Sequence, residues 1–221
     1  MAKMPQIKSV HYSVNHPKNN LMFGKTVVKL AGEDYISTQF KEMTFKLSPE
    51  AFHQLNTIQM EVLYNEINKA AELKGFETVI DCFSGIGITS LEMATKAKMV
   101  YGIDFSETSI KDSKMNATLN KVKNVQFIQD RVERCLPGLI EKKGKPDVIV
   151  FDPPRTGLDE AIIKTLLEAK IKKMIYVSCN PSTLAKNISQ LSELYDIKYI
   201  QPIDMFPHTA SVESITLLSL K

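Results

Sequence analysis

Strand-sized and helix-sized segments alternate from residue 77 onward, and this alternation constrains the fold more than any other feature. Apolar runs such as ETVIDCF (77–83), DVIVFDPP (147–154) and MIYVSC (174–179) are almost continuous, and helical patterns such as GLDEAIIKTLLEAK (157–170) lie between them. Strands buried on both faces need continuous apolar runs, and parallel strands need helical crossovers. The sequence therefore predicts the α/β class, with a doubly wound, mostly parallel sheet covered by helices.

The two ends of the chain depart from this pattern. IKYIQPIDMF (197–206) and ESITLLSL (213–220) are strand-like, and the gap between them is too short for a helix, so we expect them to pair antiparallel. Residues 1–47 are predicted to form a short β-rich annex, with VVKLAG (27–32) and DYIST (34–38) as strands around a Gly-Glu turn. The main domain is predicted to span 48–221.

The segment that follows the annex carries a helix start signal. Ser48 has the properties of an N-cap, Pro49 suits the first helical position, and apolar residues recur at helical spacing through SPEAFHQLNTIQMEVLYNEINKAAEL (48–73). We therefore expect a helix that begins at Ser48.

Composition excludes several classes of protein. The longest apolar stretches are strand-sized, so no membrane span is expected, and the N-terminus lacks the apolar core of a signal peptide. Cys82, Cys135 and Cys179 are an odd, widely spaced set without a Cys-x-x-Cys pair. We therefore expect no disulfide framework, no metal or iron–sulfur site, and a reducing, cytoplasmic location. The net charge of +3 weakly favours a polyanionic partner.

Ligands of doubly wound sheets bind at the carboxyl ends of the strands. After the first parallel strand, Gly85 and Gly87 allow a tight turn and close approach of a ligand to the backbone, as in dinucleotide-binding proteins and methyltransferases, although a plain strand–helix turn is an alternative. Asp104 ends the second strand and suits either a ribose diol or a helix N-cap. Asp130 ends the third strand, where an adenine amino group and a helix cap are both possible partners.

The fourth and fifth strands end in residues that suggest chemistry. In FDPPRTGL (151–158), two prolines fix an extended turn that holds Asp152 rigidly beside Arg155. In YVSCNP (176–181), Cys179 stands at a strand tip, directly before a predicted helix that begins at Pro181. A helix N-terminus lowers a thiol pKa, so Cys179 is a candidate nucleophile, with a core cysteine as the alternative. Glu213 heads an apolar strand, where a solvated strand end is the alternative.

Five blocks together resemble the RNA uracil-C5 methyltransferase family, which forms 5-methyluridine in tRNA and ribosomal RNA. In chain order they are FKLSPEAFHQLNT, DCFSGIGITS, FDPPRTGLDE, YVSCNPSTLAKNI and DMFPHTASVES. The resemblance implies the class I, Rossmann-like fold of methyltransferases that use S-adenosylmethionine, with RNA as partner. It also implies that Cys179 is the nucleophile and Glu213 the general base.

The resemblance further assigns ligand contacts. Gln54 is a ligand-contacting residue, and Phe83, Asp104 and Asp152 help to bind S-adenosylmethionine or the target base. With the residue-based predictions, this gives a cofactor site and a substrate site. The cofactor site comprises Gln54, Phe83, Gly85, Gly87, Asp104, Asp130 and Asp152; the substrate site comprises Gln54, Asp152 and Arg155.

The chain departs from the family pattern in two respects. Full-length members carry an N-terminal oligonucleotide-binding domain and a β-rich central domain, whereas here only residues 1–47 precede the catalytic blocks. We expect RNA affinity and target choice to be reduced or supplied by a partner. Ser84 stands where the family usually has a cysteine, and the iron–sulfur cysteines of some members are absent.

Other functions were compared with this one. A cytosine-C5 RNA methyltransferase uses the same thiol chemistry but carries a second Pro-Cys block, which is absent here. An N6-adenine methyltransferase needs no thiol and has an aromatic residue at the position of Arg155. A nicotinamide dehydrogenase would require a third glycine in the loop. A non-catalytic, methyltransferase-like RNA-binding module is the remaining alternative.

Overall fold

The structure is a computed structural model that describes residues 4–15, 23–24 and 26–221. Parts of the predicted annex and the extreme N-terminus lie outside these residues. The strands are β1 (Ser9–Ser13), β2 (Val27–Gly32), β3 (Ile36–Phe40), β4 (Met43–Leu47), β5 (Thr78–Cys82), β6 (Met99–Asp104), β7 (Val125–Gln129), β8 (Val148–Phe151), β9 (Lys173–Ser178), β10 (Tyr195–Ile203) and β11 (Glu213–Leu220). The helices are α1 (Thr57–Ala71), α2 (Ile88–Ala94), α3 (Glu107–Leu119), α4 (Val132–Lys143), α5 (Glu160–Ala169) and α6 (Pro181–Leu191).

A seven-stranded sheet in the order β10-β11-β9-β8-β5-β6-β7 forms the centre of the molecule. β5 to β9 run parallel, and β11 pairs antiparallel with both β9 and β10. The predicted fold class and the antiparallel C-terminal strands are therefore confirmed. The strand order reverses between β5 and β8, which creates a crevice at their carboxyl ends.

The sheet is buried on both faces, as its apolar strands predicted. Every residue of β8 is buried, and alternate residues serve opposite faces. Ile149 and Phe151 join a core with α4, α5 and α6, whereas Val148 and Val150 join a core with α1 and α2. Within the described residues, no helix is long and apolar enough to cross a membrane.

The predicted hairpin between VVKLAG and DYIST is wrong. β2 pairs with β1, and β3 pairs instead with β4, through a turn at Lys41. Lys41 has a φ of 51°, a left-handed conformation more typical of glycine or asparagine. Because lysine gives no turn signal at that position, the sequence pattern pointed to the more obvious Gly-Glu turn.

The annex strand β4 is fastened to α3 by side chains that replace a neighbouring strand. Asn120 hydrogen-bonds both the N–H (3.0 Å) and the C=O (2.8 Å) of Thr44, and Asn116 does the same with Lys46 (2.8 and 3.2 Å). Four residues of helix rise about 6 Å, close to the advance of two residues in a strand, about 6.6 Å. The spacing of these amides on α3 therefore matches every second residue of β4.

The predicted helix start at Ser48 is also wrong, because α1 begins at Thr57. The N–H and hydroxyl of Ser48 donate to Asp112 of α3 at 2.9 and 2.7 Å, which continues the attachment of β4 and leaves Ser48 unable to cap a helix. Asn56 is the N-cap and accepts from the Gln59 N–H. Residues 48–56 instead cross the molecule as an irregular segment.

We expect Asn116→Ala to lower the free energy of unfolding by about 1–3 kcal/mol, because the buried amide also donates to the Ile86 carbonyl of the glycine loop at 3.2 Å. Urea unfolding followed by circular dichroism measures the effect. Lys114→Ala, an exposed change on the same helix, is the matched control. Equal stability of both variants would contradict the attachment.

Candidate active site

The glycine loop after β5 approaches a neighbouring side chain too closely to carry a side chain at Gly87, whereas Gly85 is required for its backbone conformation. Gly87 has a φ of 90°, and a Cβ there would lie 2.8 Å from Cζ of Phe127. Gly85 has a φ of 52°, and its N–H donates to Asp104 at 2.9 Å. Asp104 also accepts from the Ser106 N–H at 2.8 Å, while Ser106 itself caps α3. Both oxygens of Asp104 thus hold the loop and the helix start in place, and its role toward a ribose stays a prediction.

An apolar cavity of about 240 Å³ lies beside this loop. Phe83 and Phe105 line it from the ends of β5 and β6, and Val132, Pro154 and Ile162 complete its apolar surface. Phe83 has a φ of 67°, and non-glycine residues adopt such a conformation mainly where surrounding structure enforces it. Phe105 is 69% exposed, so an aromatic face is open to a ligand.

Asp130 follows β7 near this cavity but has a protein partner. It accepts from Nε of Arg134 at 2.6 Å and from the Arg131 N–H at 2.7 Å, and the hydrogen bond from Arg134 lowers its pKa. Both hydrogen bonds use Oδ1 of Asp130, so an adenine amino group would have to donate to Oδ2. The contact with adenine stays a prediction.

Sequence reasoning missed a buried carboxyl in the middle of β5. Asp81 accepts a 2.5 Å hydrogen bond from Ser90, and its pKa is raised to about 7, first by burial and then by Asp152 and Asp104. An acid within an otherwise apolar strand was the available signal. Asp152 is exposed at the surface of the crevice. The protein atoms packed around its carboxyl group nevertheless desolvate it, and this raises its pKa to about 6. The crevice therefore concentrates carboxyl groups.

Cys179 and Glu213 lie on neighbouring strands at the same edge. Ser214 of β11 pairs with Ser178 of β9. Because the two strands are antiparallel, the residue before Ser214, Glu213, lies opposite the residue after Ser178, Cys179. Cys179 is partly exposed, whereas Glu213 is only 5% exposed. Burial, supplemented by the charge of Asp152 and opposed by Arg155, raises the pKa of Glu213 to about 7.

The predicted lowering of the Cys179 pKa is wrong for the protein without ligands. Helix α6 does begin at Pro181, but burial and the carboxylates Glu213 and Asp152 raise the thiol pKa, although the charge of Arg155 and a backbone hydrogen bond oppose them. The sequence showed the helix N-terminus but not the carboxyl groups that gather around the sulfur.

A hydrogen-bond network fixes the DPPRTG loop to the helix that follows Cys179. Asn187 of α6 accepts from the Tyr176 hydroxyl and the Leu158 N–H, both at 2.9 Å, and donates to the Leu158 carbonyl at 3.2 Å. A Cβ at Gly157 would lie 2.5 Å from the Asn187 oxygen. The Arg155 carbonyl also accepts from the Asn180 amide at 3.2 Å. The loop that carries Asp152 and Arg155 is thus held against the segment that follows Cys179.

For the methyl transfer that the sequence resemblance predicts, we expect Asn187→Ala to reduce the rate by roughly 10- to 100-fold, because small displacements of catalytic groups have effects of this size. Single-turnover transfer of a labelled methyl group measures the change. Tyr195→Phe, which removes a different buried hydroxyl bond, to the Leu166 carbonyl, is the matched control and should retain activity. Wild-type turnover by Asn187→Ala would show that the network does not position the loop.

The structure does not bring Gln54 into the cavity beside Phe83. Gln54 is buried and lines a separate cavity, between the segment 48–57 and the N-terminal strands. Its neighbour Asn56 donates to the Met205 carbonyl at 3.2 Å, which ties this segment to the loop before Glu213. His208 lies in that same loop with a φ of 66°.

Comparison with known proteins places this arrangement in a family. The model of the tRNA (uracil-5-)-methyltransferase family matches residues 10–221. The chain belongs to this family. The family resemblance inferred from the five sequence blocks is therefore confirmed. An uncharacterized RNA methyltransferase from Listeria monocytogenes is 43% identical over 220 residues, and one from Halalkalibacterium halodurans is 44% identical over 218 residues.

A solved structure of another protein shares the architecture of this family member. The Pyrococcus abyssi tRNA (uracil-54, C5)-methyltransferase, in complex with S-adenosyl-L-homocysteine, superposes with a TM-score of 0.80 at 30% identity. The match covers 96% of this chain and 50% of that one. The chain likewise spans about half the length of the curated relatives, 48% for the Listeria protein and 47% for the Halalkalibacterium protein.

Proposed function

We propose that the protein methylates carbon 5 of a uridine in RNA, with S-adenosylmethionine as methyl donor. The observation that carries this proposal is the pairing of an accessible thiol, Cys179, with a buried carboxyl, Glu213, across adjacent strands. Methylation of a nitrogen needs neither group, whereas carbon 5 of uracil needs both a nucleophile and a base. The family and the Pyrococcus abyssi neighbour support this choice.

The crevice has the chemistry that S-adenosylmethionine requires. Its adenine would lie in the apolar cavity between Phe83 and Phe105, and its cationic end would face the carboxyl groups of Asp81 and Asp152. The rise in the pKa of Asp81 caused by Asp152 and Asp104 shows that these carboxyls repel one another. A bound cation offsets such repulsion. When bound, the cofactor supplies an electrophilic methyl group attached to a sulfonium.

Covalent catalysis explains the need for a thiol. The Cys179 thiolate adds to carbon 6 of uracil, which breaks the 5,6 double bond and places electron density on carbon 5. Carbon 5 would then take up the methyl group as the bond between that methyl group and the cofactor sulfur breaks, and the sulfur would keep the electron pair. Glu213 removes the remaining proton from carbon 5, the double bond re-forms, and the Cys179 sulfur leaves. Arg155 stabilises negative charge on both residues, since its charge lowers their pKa values.

Delivery of the uracil to this crevice requires a flipped base, since carbon 6 is inaccessible within a stacked helix. Asp152 and Arg155 would contact the uracil edge at the carboxyl end of β8. Both side chains are exposed, so they can reach a ligand without rearrangement of the core.

Mapping of the methylated nucleoside tests the proposal. The protein is incubated with unmodified tRNA and ribosomal RNA and with isotopically labelled methyl donor, and the nucleosides are separated by mass spectrometry. We expect label in 5-methyluridine; label in 5-methylcytidine would establish the cytosine alternative. Calorimetry with S-adenosylmethionine separates an enzyme from a non-catalytic RNA-binding module, because a module without a cofactor site releases no heat.

A further inference from the structure

The cavity that contains Gln54 has its own binding chemistry. Its volume is about 420 Å³, and it lies between the annex and the segment that precedes α1. Besides Gln54, its walls include His11, Asp34, Ile36, Ser48, His53 and Leu55. The cavity beside Phe83 shares none of these residues, so the two spaces have different walls.

His53 lines this cavity with unsatisfied polar atoms. Both ring nitrogens are shielded from solvent, and neither has a hydrogen-bond partner in the described part of the chain. Burial lowers the pKa of His53, so the ring is neutral at pH 7 and carries one donor and one acceptor. A shielded polar group without a partner destabilises the protein, and a ligand that pairs with it recovers that loss.

Three other polar side chains on the walls, Asp34, His11 and Ser48, have partners within the protein. Asp34 forms an ion pair with Lys29 at 2.5 Å, and Nδ1 of His11 is hydrogen-bonded to Ser9 at 2.9 Å. Ser48 is bound to Asp112, as described above. A ligand would therefore find His53 as an unsatisfied polar group of the wall, next to the buried Gln54 and to apolar surface.

These properties select a class of ligand. The described residues that line the cavity include the carboxylate of Asp34 but no lysine or arginine, which disfavours a phosphate. Ile36 is 52% exposed and Leu55 is 88% exposed, which suits a flat, weakly polar ring. A nucleobase combines such a ring with a donor–acceptor edge that matches a neutral imidazole.

The place of the cavity suggests where that base belongs. The segment 48–56 carries His53 on one side and is tied through Asn56 to the loop that leads to Glu213. We propose that this cavity receives an unpaired base of the substrate RNA strand, close in sequence to the target uridine, and that His53 hydrogen-bonds its edge. This inference rests on the proposed function.

Substitution of His53 tests the inference through binding of RNA. We expect His53→Ala to raise the dissociation constant of an unmodified tRNA transcript about tenfold, while turnover at saturating RNA and the affinity for S-adenosylmethionine stay unchanged. His53→Gln, which keeps one donor and one acceptor, should retain most of the affinity. Tyr195→Phe is a control for loss of a buried polar contact elsewhere. Wild-type RNA affinity in His53→Ala, or a loss confined to S-adenosylmethionine, would overturn the inference.

A second measurement identifies the base. Synthetic hairpins that span the methylated uridine, each with one abasic nucleotide beside it, are compared for wild type and His53→Ala. One abasic position should weaken binding by wild type about tenfold and have no further effect on His53→Ala. Equal losses at every position in both proteins would overturn the inference. Binding without methylation would defeat the proposed function alone, whereas absence of any RNA binding would defeat both.

Discussion

Cys179→Ala is expected to abolish methyl transfer, with a loss of roughly 10⁴- to 10⁶-fold, the range found when a covalent nucleophile is removed. The adjacent hydroxyl and the other two thiols are not placed to replace the sulfur. Ser178 is buried and its hydroxyl donates to the Asn180 carbonyl at 3.0 Å, and Cys82 and Cys135 belong to the core around α4. Transfer of a labelled methyl group to RNA, measured under single-turnover conditions, gives the rate.

The controls for Cys179→Ala separate lost chemistry from lost binding. Calorimetry should show unchanged affinity for S-adenosylmethionine, and filter binding should show unchanged affinity for RNA, since the thiol forms its bond only after both are bound. Cys135→Ala, a substitution of another partly buried thiol, should leave activity intact. Methylation by Cys179→Ala at the wild-type rate would eliminate the covalent mechanism.

Glu213→Gln should instead trap the protein on its RNA. The amide cannot remove the proton from carbon 5, so the methylated uracil stays bonded to Cys179, and turnover falls by about 10²- to 10⁴-fold. Denaturing gel electrophoresis detects the adduct as a band that disappears on digestion with ribonuclease. A double variant with Cys179→Ala should form no such band. If Glu213→Gln turns over slowly without accumulating an adduct, another residue is the base.

The pH dependence of adduct resolution follows from the same carboxyl. The pKa of Glu213 is raised to about 7, chiefly by burial, and the base must be ionised to act. The ionised fraction, and with it the rate of resolution in wild type, should therefore rise with pH through about 7. Rapid-quench measurement of adduct decay between pH 6 and 8 tests this, and the slow decay of Glu213→Gln should lack that dependence.

The sequence predicted the elements of the central sheet well because their physical causes are local. Continuous apolar runs marked β5, β8 and β9, and Pro181 marked the start of α6, as the structure confirms. Helix and strand signals of this kind depend on nearest neighbours and on burial of whole faces. Placement of chemistry at the strand ends followed from the same pattern, because parallel strands bring their carboxyl ends to one edge.

The errors arose where distant residues compete for the same groups. Ser48 has the composition of a helix cap, yet Asp112, 64 residues away, binds its N–H and hydroxyl. In the annex, β3 pairs with β4 and not with β2 across the Gly-Glu turn. The side-chain amides of Asn116 and Asn120 on α3 hold β4 in place. The thiol pKa was expected to fall because the helix start is local in sequence, whereas the carboxyls that raise it come from other strands.

The sequence by itself determined the alternation of strands and helices, the family, and the residue types available for chemistry, because these depend on local patterns and on side-chain identity. Only the tertiary structure decided that Glu213 stands opposite Cys179, that Asp81 joins the carboxyls of the crevice, and that His53 lines a cavity with no hydrogen-bond partner among the described residues. Electrostatic and hydrogen-bond energies depend on distance and burial, and both quantities arise only when remote parts of the chain meet.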